Sequence, residues 1–114
     1  METAIIQSRI SIHELGRLAE HGYGDMIKAV VDIEKGIMAV GGAMHADMIP
    51  ILKAKGSIGK DLWGVKLYPG MANMDQFIEF ESLINLKEGN PDESIRIPEI
   101  KQKIIKIVEK LINF

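Results

Sequence analysis

Two hydrophobic periods divide the chain. Ile27, Ala29, Val31 and Ile33 alternate with Lys28, Val30, Asp32 and Glu34, the period of a half-buried strand. Glu34-Lys35-Gly36 supplies a turn, and Ile37 to Val40 runs back, apolar on both sides as a central strand is. Leu62 to Tyr68 predicts another core strand, with Trp63, Val65 and Leu67 on one side. Phe77 to Leu86 predicts the longest strand, with Ile78, Phe80, Ile84 and Leu86 on one side, and Ile33, Ile78, Phe80 and Ile84 are expected to be buried. Thr3 to Arg9 is short and partly apolar, as an edge strand is.

Helical spacing takes over elsewhere. Ser11 and Glu14 fit a capping box ahead of Ile12, Leu15, Leu18 and Ala19, which share one face of a helix that Gly22 and Gly24 stop. A second helix is predicted from about Ala46 to Lys55, with Pro50 in its first turn. A third begins at Pro98 and runs to about Asn113. Residues 87–96 hold no pattern and read as a mobile loop. The order is β-α-β-β-α-β-β-α, an α+β two-layer sandwich with a largely antiparallel sheet and helices on one face. At 114 residues this is one domain, residues 1–114.

Composition narrows the chemistry. The absence of cysteine removes disulfides, thiolate zinc sites and a Cys nucleophile. A net charge of −2 argues against nucleic acid. The start, METAIIQSRIS, has neither the charged n-region nor the long apolar h-region expected of a signal peptide, and no apolar run approaches the roughly 20 residues of a membrane span. A cytoplasmic protein is expected.

The residues that carry chemistry are few. On the polar side of the sheet lie Lys28, Asp32, Glu34, Lys66, Tyr68, Glu79, Glu81 and Asn85. The bland reading is a solvated face of cross-strand ion pairs. The sharper one is a divalent cation held by His45, Asp47, Glu79 and Glu81, since hard cations want several oxygens. His45 and Asp47 follow Gly41-Gly42 and open a helix, where such residues commonly cap. Asp61, Trp63 and Tyr68 surround Gly64 and the Pro69-Gly70 turn, and are expected either to line a ligand cleft or to place Trp63 in the core. No catalytic motif is present, and no cofactor is evident beyond that divalent metal. The first reading is a small soluble binding or accessory module whose small-molecule ligand the sequence does not name. A metal-dependent hydrolase and a structural homo-oligomer are the alternatives.

Several blocks resemble a known family: Gly24 to Glu34, Gly41-Gly42, His45-Ala46-Asp47, Asp61-Leu62-Trp63-Gly64, Tyr68-Pro69 and Ile78 to Asn85. They are similar to an uncharacterised family of short prokaryotic proteins known only as a domain of unknown function. The resemblance covers about residues 10 to 110. It implies a soluble, single-domain prokaryotic protein, and it supplies no catalytic residues.

The last helix raises the question of assembly. Ile100, Ile104, Ile107, Val108 and Leu111 form one stripe, and Ile105 and Ile112 widen it. The apolar arc, about 160°, exceeds the roughly 100° that a surface helix needs. A homodimer through Ile105 and Ile112 is the expectation, and cover by the helix at 12–21 is its competitor.

Overall fold

The structure, a computed structural model, describes residues 2–114. Its strands and helices are β1 (Thr3–Ile6), β2 (Ile10–Ser11), α1 (Ile12–Glu20), β3 (Ile27–Asp32), β4 (Ile37–Gly41), α2 (Ile49–Lys53), β5 (Leu62–Leu67), α3 (Met74–Phe77), β6 (Ile78–Glu79), α4 (Pro98–Leu111) and β7 (Ile112–Asn113). Single 3₁₀ turns occupy His45–Met48, Gly59–Asp61 and Leu83–Asn85. The fold is α+β. Its main sheet is antiparallel throughout, in the order β1-β4-β3-β5-β6.

The alternating pattern explains how the sheet divides the core. Ala29, Val31, Met38, Val40, Trp63 and Val65 point to one face, where Leu15 of α1 and Ile104, Val108 and Leu111 of α4 cover them. Val30, Ala39 and Leu62 point to the other. Met48 and Leu52, from the 45–53 segment, bury them there. The long helices therefore share one face, and a short helical segment covers part of the opposite one. The part left over is the end of β3 and β5 that carries Lys28 and Lys66.

Local signals act as their chemistry requires. Ser11 Oγ accepts from the Glu14 N–H at 3.0 Å and caps α1. The Glu14 carboxylate turns to Arg17 at 2.8 Å instead of completing the box. Gly36 takes φ 68° in the β3–β4 turn. Asp32 is buried there, not solvated: its Oδ1 accepts from the Glu34 and Lys35 N–H groups, and its Oδ2 accepts from Ser57.

Three expectations need correction, and the loop expected at 87–96 gains detail. The long strand at 77–86 does not form. Asn73 caps the short α3, β6 is two residues long, and Ser82 caps a 3₁₀ turn. Phe80 and Ile84 are only half-buried, as is Ile33 beyond the end of β3. The patternless stretch at 87–96 is a loop with an internal scaffold. Asn90, 1% exposed, donates to the carbonyls of Asn85, Asp92 and Ser94 and accepts from the Arg96 N–H. Ile95 anchors the stretch in the core. Ile112 is fully buried within its own chain, in β7 beside Ile10 of β2, so it is not free to form a dimer interface.

Candidate functional site

Lys28 and Lys66 are direct cross-strand partners on β3 and β5. Like charges so placed repel one another. Each has a modest partner. Lys28 Nζ donates to the Ala43 carbonyl at 3.0 Å and lies 5.3 Å from the Tyr23 ring centroid. Lys66 Nζ reaches Glu79 at 3.5 Å, an ion pair open to solvent. The two lysines form the floor of a cleft of about 240 Å³. His45, on its 3₁₀ turn, forms one side. Ser82, Glu81 and Glu93 form the other.

His45 is built into the site. It is 7% exposed, and its Nε2 lies 2.8 Å from the Val65 carbonyl. A carbonyl only accepts, so Nε2 carries the hydrogen and the neutral ring keeps its lone pair on Nδ1. Burial pushes its pKa below the ordinary 6.5, outweighing the Val65 hydrogen bond that raises it, and the charges of Lys28 and Lys66 add to the depression. The ring is neutral at pH 7.

The opposite wall depends on one glycine. On β5 only Gly64 lies between Leu62 and Lys66 on this face, opposite Val30. A Cβ at Gly64 would sit 2.5 Å from Ser82 Cβ and 3.1 Å from His45 Cδ2. The missing side chain is therefore what lets Ser82 and the imidazole both approach the strand. Asn85 fastens the wall down. Its Oδ1 accepts from the Gly64 N–H at 2.8 Å, and its Nδ2 donates to the Gly64 carbonyl at 2.9 Å and to the Glu93 carbonyl at 3.1 Å. The Ser82 N–H donates to Glu93, and Glu81 bridges Ser94, so two extended segments stand side by side over the strand. The His45 ring atom nearest the Gly64 position is Cδ2, Nε2 is taken by the Val65 carbonyl, and among the described residues no hydrogen bond joins the ring to the Ser82 hydroxyl. The imidazole is therefore not placed as a base for the serine.

The candidate residues named from the sequence are scattered. Among the described residues, no three His, Asp or Glu side chains are placed to share a metal ion. Of His45, Asp47, Glu79 and Glu81, only His45 and Glu81 line the cleft. The Asp47 carboxylate accepts from the Met44 N–H at 3.0 Å and holds its own turn. Glu79 is engaged by Lys66 and by the Tyr68 hydroxyl, which donates to it at 3.2 Å. Asp61, Trp63 and Tyr68 share no cleft. Asp61 borders a depression beside Lys35 and Lys60, and Tyr68 borders a shallow one beside Met71 and Gln76. Trp63 is a core residue, its ring covered by Lys87 Nζ at 4.2 Å from the centroid. Burial lowers the Lys87 pKa, and its Nζ donates to the Leu62 carbonyl. Partial burial raises that of Tyr68, and the Glu79 carboxylate adds to the rise.

A larger groove of about 490 Å³ runs between α1 and the Pro69-Gly70 turn. Its His13, Arg17, Glu20 and Asp25 are all exposed, so no buried polar group organises it.

The model of the family described as "Protein of unknown function (DUF5674)" matches residues 4–111. The chain belongs to that family. The match takes in every element of the cleft, from β3 through the 81–94 wall. No curated protein and no solved structure matches the chain. No helix among the described residues is long and apolar enough to cross a membrane.

Lys28, Lys66 and Glu81 were visible in the sequence as polar sheet positions. Ser82, Glu93 and the role of Asn85 were not. Asn85 and Asn90 grip backbone groups, and that action leaves no periodicity in the sequence.

Proposed function

We propose that this protein is a single-domain binding module, and that its ligand is a small molecule bearing a carboxylate, held over Lys28 and Lys66. The observation that carries the reading is the direct opposition of those two lysines on the floor of a concave, partly buried site. An anion between them would relieve their repulsion. The neutral His45 ring adds a polar wall without adding charge, and the Ser82 hydroxyl hydrogen is available to an oxygen ligand. Glu81 and Glu93 on the rim disfavour a dianion such as phosphate and favour a monoanion. At about 240 Å³ the cleft falls below the roughly 300–1,000 Å³ of pockets for drug-sized ligands, which suits a smaller metabolite.

The test is an amide-shift titration of the ¹⁵N-labelled protein with 4-methylpentanoate. The amides of Lys28, Gly64, Lys66 and Ser82 are expected to move together, and Lys66→Met is expected to abolish the movement. Shifts confined to other faces, or shifts unchanged in Lys66→Met, would contradict the reading.

A further inference from the structure

The cleft is chemically two-sided, and the carboxylate site proposed above uses only one side. The floor is cationic, with Lys28 and Lys66. The wall brings Glu81 and Glu93, both exposed, to the same cavity. Among the described residues, neither of these carboxylates makes an ion pair. The bridge from Glu81 to Ser94 and the Ser82–Glu93 backbone bond place the two on adjacent extended segments. A simple carboxylate ligand would leave both facing solvent without a counter-charge.

The rim is apolar. Met44 and Leu83 border the same cleft, at 57% and 65% exposure. They flank it from opposite sides, Met44 just before the His45 turn and Leu83 just after Ser82. Two large apolar side chains on the rim of one concave polar site offer apolar ligand atoms a surface to pack against.

One class of molecule answers all three features. We infer that the cleft takes a free α-amino acid with an apolar side chain. Its carboxylate lies over Lys28 and Lys66, its ammonium meets Glu81 and Glu93, and its side chain packs between Met44 and Leu83. The inference rests on the carboxylate reading and adds the ammonium and the apolar arm to it. A zwitterion leaves the net charge of the cleft unchanged, which neither a carboxylate alone nor an amine alone does.

Three probes separate the parts: L-leucine, 4-methylpentanoate, which lacks the amine, and 3-methylbutylamine, which lacks the carboxylate. Each is titrated into the intact ¹⁵N-labelled protein. L-Leucine is expected to move the Gly64 and Ser82 amides and to bind at least about 10-fold more tightly than either analogue, the scale of one charge-assisted hydrogen bond. The double variant Glu81→Gln/Glu93→Gln is expected to weaken L-leucine to the level of 4-methylpentanoate and to leave 4-methylpentanoate itself unweakened. Equal or tighter binding of 4-methylpentanoate to the wild type overturns the amino-acid inference and leaves the carboxylate reading standing. If none of the three moves the cleft amides, both are overturned. Retained spectral dispersion in the double variant keeps loss of binding distinct from loss of fold.

Discussion

The side chain of Asn85 holds the backbone of Gly64 at both its polar groups, accepting from the N–H at 2.8 Å and donating to the carbonyl at 2.9 Å. A primary amide so placed imitates a neighbouring strand. It satisfies the edge of β5 beyond the two-residue β6, which pairs only with Lys66 and Leu67 and leaves Gly64 without a strand partner on that side.

Asn85→Ala therefore leaves buried Gly64 groups without partners and frees the 81–94 wall. A loss of about 2–4 kcal/mol is expected in urea unfolding, from orphaning buried donors and acceptors. A loss below about 0.5 kcal/mol, the scale of an ordinary surface change, would contradict the clamp.

Gly64→Ala addresses the same contact from the strand side. The new Cβ would stand 2.5 Å from Ser82 Cβ, an atom fixed to its own backbone. The wall must move. Overpacking of about 1–3 kcal/mol is expected, and the amide shifts are expected to concentrate at 81–85 and at His45. Shifts confined to residue 64 and its chain neighbours, with stability unchanged, would show that the space is not tight.

His45 makes stability depend on pH. Its folded pKa lies below 6.5, so between the two values the unfolded chain binds more protons. The contribution is fully present above pH 6.5 and is lost as pH falls below that value toward the folded pKa. The urea midpoint is expected to drop between pH 7.5 and pH 5 by more in the wild type than in His45→Gln, whose amide can still donate to Val65. Parallel pH curves for the two proteins would contradict the assignment.

Ile112 separates packing from assembly. It is wholly buried in its own chain, so Ile112→Ala is expected to cost about 2–5 kcal/mol. That cost is expected to be independent of protein concentration. A midpoint that rises with concentration in the wild type, and no longer does so in the variant, would return Ile112 to an interface.

The sequence was most legible where one period rules a whole element. The β3–β4 hairpin follows from Ile27 to Val40 around Gly36, and α4 follows from Pro98 and its isoleucine stripe. It was least legible between Phe77 and Ile97. There Ile78, Phe80 and Ile84 keep an alternating spacing, yet Asn73 and Ser82 cap short helical turns that break the strand on either side. The apolar residues report burial, and the caps decide the backbone. The site suffered most from this. Its floor lysines stand on regular strands, whereas its wall depends on Asn85 and Asn90, whose partners are backbone atoms that alternation does not mark.

The most direct test of the cleft as a ligand site is a crystal structure of the protein grown with L-leucine. Density is expected over β3 and β5, with the carboxylate within about 2.7–3.2 Å of Lys28 or Lys66 Nζ and the side chain between Met44 and Leu83. Ordered leucine in the groove beside α1, or a cleft holding only water at saturating leucine, would contradict the account.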